Sequence, residues 1–444
     1  MNAKLTLIGT MAVACAAFQL TAMPTEEETR RAEPVVQKLL ASERAALESG
    51  KKTRSEVAVA AMKLADEINT DAVKMLLMKG AFVLYVQDGN HEKAIETLDA
   101  LKKAIPDMPS ETVVSIIESS SPNVTYKFAY EIEDGFAVVA GVDPKPVGTL
   151  VVPDKIDGYS VTRIGWEAFR NCKCLTSVTI PKGVTHIDVH AFDLCDGLKS
   201  VTLPSSLEVI GYAAFGKCSG LKSIAVPNGV KSISADAFNG CGLKSVVIPS
   251  SVTSIGDRAF CECGELESVS IPAEVVNLGK GVFAGCNALK RINVDSGNQV
   301  VASINGVLYT KDRSVLAMWP NPPESAVIPA GVTNIMGWAF AISGRLASVT
   351  IPESVTSIGA VAFLRCVGLK SMTIPSGVKN IGEHAFNRCG ELASVTMLGE
   401  RPELEKDNIF DGCGKLKSIH VPANAKSWAG MKDWFGIPLV FDAK

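Results

Sequence analysis

Two spacings of apolar residues divide the chain. From Thr25 to about Ser121 they recur at helical spacing, with Val35, Val36, Leu39, Leu40 and Leu47 on one face and Val57, Ala60, Ala61, Leu64 and Ile68 on another. Thr53 and Glu56 form a capping-box pattern before the second run, and Ser110 is placed to cap a short last helix. Beyond "SSSPNV" the pattern turns to two-residue alternation, which predicts a domain boundary near Ser121. In "KSVTLP", Val201 and Leu203 alternate with Ser200 and Thr202 as a half-buried strand requires. Pro204 has no N–H to give a ladder and ends the strand.

That segment returns along the chain. Pro181, Pro204, Pro227, Pro249 and Pro272 follow one another at about 23 residues, and the beat resumes at Pro352 and Pro375. Phe169, Phe192, Phe215, Phe238, Phe260, Phe283, Phe340, Phe363, Phe386 and Phe410 keep the same interval. Self-similarity at this period predicts a solenoid. Within one period, Leu207 and Ile210 face inward, Gly211 permits a backbone reversal, Phe215 enters the core, and Cys218 and Leu221 close the coil. One coil is too small to fold alone, so its apolar edges require neighbours stacked about 4.8 Å away.

Between Leu289 and Val327 a longer segment replaces one period. "NGVLYTKDRSVLAMWP" predicts a hairpin with strands around Val307 to Tyr309 and Val315 to Met318, joined by a polar turn at Lys311 to Arg313. Trp428, Trp434 and Phe435 break the repeat near the end and suit a capping element. The expected organisation is α+β and multidomain: a signal peptide over 1–22, a helical domain over 25–121, linker and entry strands over 122–147, and a right-handed β-rich solenoid over 148–444. The solenoid carries a hairpin insert at about 293–325 and a cap at about 423–444, and its right hand is an expectation that rests on the family resemblance given below.

The N-terminus sets the expected compartment. Lys4, an apolar run from Leu5 to Leu20, small residues near Ala22 and then abrupt acidity form a secretory pattern. Thr6, Gly9, Thr10 and Gln19 interrupt the run, which favours a cleaved peptide over a membrane anchor; lipid attachment at Cys15 is the less favoured alternative. A net charge of −3 over 444 residues supplies no general attraction to nucleic acid or anionic lipid. An apolar content of 47% excludes global disorder.

The repeat pattern "LKSVTIP..VTSIG..AF..C..L" resembles the bacterial-surface-antigen, or BspA-like, leucine-rich repeat, and "INGVLYTKD" followed by "WPNP" is similar to a segment frequent in that family. The resemblance covers about Gly148 to Lys444. It implies a right-handed β-rich solenoid, secretion or surface display in a bacterial envelope, and binding of proteins or other surface polymers. In the helical part, Tyr85, Gly89, Ala94, Leu98 and Pro106 resemble a tetratricopeptide hairpin, although Phe82 occupies a place where that family has a small residue.

The candidate chemistry is periodic. Cys172, Cys195, Cys218, Cys241, Cys263, Cys286, Cys366, Cys389 and Cys413 lie three residues after the repeat phenylalanines, with Ser343 replacing one. They read as buried free thiols used as small hydrophobes, with a stacked disulfide column as the alternative. His186 and His190 lack the glutamate and the helix of a two-histidine zinc motif. Neither a GxSxG serine nor a phosphate-binding glycine loop is present, so no catalytic, metal or cofactor site is expected. Stacking would instead present Ser177, Thr179, Ser200, Thr202, Ser245, Ser348, Thr350 and Thr373 on one sheet face beside a lysine column that includes Lys222. These residues are the candidate binding face, and the expected partner is an extracellular or surface protein or glycan, with no nucleic acid and no membrane segment after signal removal. A structural scaffold within an envelope or extracellular assembly is the alternative role.

Overall fold

The computed structural model describes residues 24, 26–67, 71–87, 90–104, 126–404, 406 and 408–442. The expected signal peptide, Cys15, Ile68, the Ser110 cap and the boundary at Ser121 lie outside the described residues. A helical region is followed by a β-solenoid of about 13 turns. By internal contacts the chain divides into two units. The first holds the described residues through Val161 with Ala168–Pro181 and Leu194–Thr202, and the second holds Thr162–Glu167, Lys182–Asp193 and the chain from Leu203 onward.

The first unit contains α1 (Glu26–Leu39), α2 (Ala41–Glu48), α3 (Arg54–Glu67), α4 (Asp71–Gln87) and α5 (His91–Ala104); α1, α3 and α5 pack around α4, whose Leu76, Leu77, Met78 and Phe82 are all fully buried. The buried stripe of α1 runs through Ala32 and Val36 to Leu40, four residues apart, while Val35 and Leu39 are 47% and 37% exposed. The expected face was therefore one position too wide on each turn. The capping box forms at the start of α3: Thr53 N donates to Glu56 Oε2 at 2.7 Å, and Glu56 N donates to Thr53 Oγ1 at 3.2 Å. Tyr85, Ala94 and Leu98 are buried and Phe82 fills the helical core, whereas Gly89 and Pro106 lie outside the described residues. The same core takes in Val147 and Cys174, and Lys173 Nζ lies 2.6 Å from Asp99 Oδ2. Asp134 and Gly135, both at positive φ, join the antiparallel strands Lys127–Glu133 and Phe136–Asp143. The strands Gly148–Val151, Leu175–Thr179 and Ser200–Thr202 then pair in parallel.

Each coil of the second unit has three hydrogen-bonding sides. One is the short strand of the "SVT" type. The next is a two-residue strand whose inward residue is buried: Ile187, Ile210, Ile233 and Ile255 pair in register, and after the insert Leu316, Ile335, Ile358 and Ile381 do the same. The strand Val315–Met318 of the insert thus takes a place in this ladder, while also pairing antiparallel with Val307–Thr310. The third side is a turn around Ala-Phe. Phenylalanine rings stack on this side, at 5.2 Å and 2° for Phe192 with Phe215 and at 5.5 Å and 3° for Phe215 with Phe238. Trp434 and Phe435 meet the last ring, Phe410, edge-on.

Two details of the coil differ from the sequence expectation. Gly211 does not adopt the left-handed conformation of a reversal. It is required because a Cβ there would sit 2.7 Å from Ile187 O and 2.8 Å from Asp188 C, so only glycine admits the neighbouring coil. The left-handed conformation falls instead on residues flanking Ala-Phe. His190, Ala213, Asp236, Arg258, Trp338, Val361 and His384 precede it, and Lys217, Glu262, Ile342, Arg365 and Arg388 follow it, all at φ between +48 and +69. Strain of order 1 kcal/mol at each is offset by stacking, because the conformation aims each N–H at the next coil. Lys217 N reaches Asn239 O, and Glu262 N reaches Ala284 O, both at 2.7 Å.

All eleven cysteines from Cys172 onward are free and buried. They do more than fill space: each repeat thiol from Cys195 onward donates to the phenylalanine carbonyl of the preceding coil. Cys218 Sγ lies 3.2 Å from Phe192 O, Cys241 Sγ 2.9 Å from Phe215 O, and Cys366 Sγ 3.1 Å from Phe340 O. Burial pushes the thiols of Cys261 and Cys366 up to about 12, so they stay protonated and unreactive at neutral pH.

Candidate functional site

The short parallel strands align the expected hydroxyl positions in columns, but in separate sheets. In the first unit, Ser177 pairs with Ser200 and Thr179 with Thr202, and Ser200 Oγ donates to Ser177 Oγ at 2.9 Å. In the second unit, Ser223, Ser245 and Ser268 form one register. Ser325 pairs with Ser348 at an Oγ–Oγ distance of 3.0 Å, and Val327 pairs with Thr350. Ser371, Ser394 and Ser418 form a further register beside Thr373, Thr396 and His420. Alternation directs the intervening valines, isoleucines and methionines inward and leaves the hydroxyls outside. Exposed valines also stand in the outer column, among them Val151 at 64%, Val247 at 77% and Val327 at 64%, so this face mixes hydroxyl and apolar contact groups.

The lysine column is partly neutralised. Lys222 Nζ lies 2.5 Å from Glu265, which also lies 4.0 Å from Lys244, and Lys290 is 2.9 Å from Glu267. Exposed pairs of this kind add little stability, and they remove the uniform positive stripe that the lysine spacing alone suggests. Ser177, Thr179, Ser200 and Thr202 come together in one sheet. Ser245 belongs to a second sheet, whose first strand Lys222 immediately precedes; Ser348 and Thr350 belong to a third, and Thr373 to a fourth.

A constellation absent from the sequence expectation forms at the last strands. His420 Nδ1 lies 3.1 Å from Asp442 Oδ1, and its Nε2 lies 3.5 Å from Ser418 Oγ. The order of groups is that of a hydrolytic triad. Its setting is not: the Oγ contact is at the outer limit of a hydrogen bond, and both His420 and Asp442 are partly solvated on a sheet surface. Residues i and i+2 of a strand share a face, which explains Ser418 and His420. Asp442 arrives from the strand Ile437–Asp442, whose pairing the sequence does not disclose.

The two histidines of the rejected metal motif occupy different parts of their coil. His186 Nδ1 lies 2.8 Å from Thr185 Oγ1, while the His190 ring meets Tyr212 edge-on at 5.2 Å. Among the described residues no group of three or more His, Cys, Asp or Glu converges as a metal site, and no helix is long and apolar enough to cross a membrane.

The BspA type leucine rich repeat region matches this chain in six copies, over residues 155–263, 217–306 and 322–430, more than half of its length. Among solved structures, the chain is similar to a leucine rich cell surface protein from Faecalibacterium prausnitzii, with 28% identity, 73% of this chain and 94% of that chain covered, and a TM-score of 0.54. It shares its fold with a leucine-rich repeat protein from Eubacterium ventriosum, with 22% identity, coverage of 72% and 86%, and a TM-score of 0.56. No curated protein matches it.

Proposed function

Because this chain belongs to the BspA-type leucine-rich-repeat family, we propose that it is a secreted or surface-exposed, non-enzymatic binding protein of a bacterial envelope. On this reading residues 148–444 form the recognition solenoid, and residues 25–121 form a helical packing module. The sheet face is the recognition surface, and the observation that carries this is the register of outward hydroxyls. Ser177 with Ser200, Ser325 with Ser348, and Thr373 with Thr396 repeat the same donor and acceptor at strand spacing. An extended protein or glycan with a matching repeat gains many weak contacts in common register, so affinity comes from multiplicity rather than from one deep pocket. The similar Faecalibacterium prausnitzii protein is described as a cell surface protein, which supports the placement.

The test is a glycan and matrix-protein array probed with the mature chain and with a Thr202→Glu, Thr350→Glu, Thr373→Glu variant. All three threonines are exposed, so circular dichroism should not change. The expected outcome is binding by the parent chain and at least a roughly tenfold loss in the variant, because three charges desolvate against the ligand. Binding that survives these changes but disappears on deletion of Asn305 to Pro323 assigns recognition to the insert instead.

A further inference from the structure

A missing turn creates a recess on the side of the solenoid that carries the Ala-Phe turns. The strand Val315–Met318 leads through "WPNPPE" to the strand Ser325–Val327 without the Ala-Phe turn of the other coils. The coil before it therefore meets the coil after it directly. A Cβ on Gly281 would lie 2.9 Å from Cγ and Cδ2 of Trp338, and one on Gly285 would lie 3.2 Å from Cγ2 of Ile342. Cys261, Ala284 and Ala341 form a small buried cluster beneath, packed by Trp338, Ile342 and Leu364. At this junction the turn has Gly281, Ala284 and Gly285 at the places where the coil before it presents Arg258, Cys261 and Glu262 and the coil after it presents Trp338, Ala341 and Ile342, with Arg365 one coil further on. The low floor between tall neighbours is an open recess of about 540 Å³. That volume lies within the range of roughly 300–1,000 Å³ usual for small-molecule sites.

The recess combines an apolar platform with cations. Trp338, Ile342, Val361 and Leu364 supply the platform, and Arg258, Arg365 and Arg388 face one carboxylate, Glu262, among its lining groups. These groups are not equally available. Arg258 is held by Asp236 at 3.1 and 2.6 Å, with its guanidinium carbon 5.5 Å from the Trp338 ring centroid, so it braces the indole. Burial raises the Asp236 carboxyl, but hydrogen bonds from Arg258 and Asn239 outweigh it and keep the pair ionised. Glu262 is engaged loosely, by Lys217 at 3.5 Å and by Arg365 at 3.7 Å. The Arg388 side chain makes no ion pair or hydrogen bond among the described residues.

We propose that this recess binds a carboxylated pyranose, a uronic-acid or sialic-acid residue of a glycan. The indole and aliphatic platform matches the C–H face of a pyranose ring, and the unpartnered Arg388 guanidinium offers a planar fork to the ring's carboxylate. Arg365 exchanges its loose contact with Glu262 for the same carboxylate. A free inorganic anion lacks the ring that Trp338 would cover, and a neutral sugar leaves Arg388 without a partner. The site lies on the turn side and does not depend on the sheet face proposed above.

Isothermal titration calorimetry on the full mature chain tests this, with trigalacturonic acid and sialyllactose as acidic probes, maltotriose and lactose as neutral probes, and hexaglutamate as an anionic peptide. Saturable binding of either acidic sugar is expected, and which one binds identifies the sugar class. Arg388→Gln should weaken that binding by about 10- to 100-fold, the loss of one charge-assisted contact. Trp338→Ala should abolish it, and the threonine-to-glutamate sheet variant should leave it unchanged. Arg388→Gln alters an uncommitted surface side chain, so its reading does not depend on whether Trp338→Ala perturbs the coil. Absence of binding to both acidic sugars at millimolar concentration, affinity unchanged by Arg388→Gln, or equal affinity for hexaglutamate would each overturn the proposal.

Discussion

Replacing Asn298 by leucine is expected to release the insert from the solenoid. Asn298 is fully buried, and its amide uses every site it has: Nδ2 donates to Pro272 O and Val275 O, both at 2.9 Å, while Oδ1 accepts from Val300 N at 2.9 Å and Val301 N at 3.0 Å. Leucine has similar size but strands the Val275 carbonyl and two N–H groups, each worth about 1–3 kcal/mol when buried without a partner, and leaves Pro272 O with only its long bond from Val275 N. Relaxation and water entry recover part of that, leaving a loss of about 3–5 kcal/mol. Asn298→Asp should be no better, since it removes both donors and buries a carboxylate. Hydrogen exchange is the appropriate measurement, because a chain of several units does not unfold in one step. Amides of Val301–Ile304, Val307–Thr310 and Val315–Met318 should lose protection by roughly two to four orders of magnitude, the equivalent of that energy. Unchanged exchange in these strands would show that the insert is held by something else.

Phe215→Ala is expected to cost about 3–5 kcal/mol, the range for truncating a buried aromatic side chain whose site does not collapse. Phe215 is fully buried with one ring stacked on each side, and its carbonyl accepts from Cys218 N and Cys241 Sγ. The cavity therefore opens between two coils at once. Because each coil leans only on its neighbours, the loss should appear as faster exchange from Phe192 to Phe238 and fade beyond. Phe410→Ala should be milder, since that ring stacks on a phenylalanine on one side only, Phe386, and is capped edge-on by Trp434 and Phe435. An effect below about 1 kcal/mol for Phe215→Ala would mean that the ring column is not what ties successive coils together.

The repeat was legible because proline, phenylalanine and cysteine recur where the coil admits few substitutes. The capping box at Thr53 and Glu56 was legible because it is local. The left-handed positions were not, since His190, Arg258, Trp338 and Arg365 share no chemistry; what they share is a backbone conformation imposed by stacking. Gly211 was assigned a conformational role when its requirement is space, a distinction that only the neighbouring coil reveals. The recess was invisible for a further reason: it comes from a turn the insert omits, which brings Gly281 against Trp338, 57 positions further along the sequence. In the same way, Asp442 reaches His420 only through the pairing of the final strand.

The most direct test of sheet-face recognition is the dependence of affinity on ligand length. Fragments of the polymer that binds in the array, graded from two repeat units to about twelve, should be titrated against the intact chain. Recognition by hydroxyls in register predicts affinity that rises steadily with each added unit until the sheets are spanned, as multivalent contacts accumulate. Affinity already saturated at one or two units would place recognition in a single pocket and contradict the account.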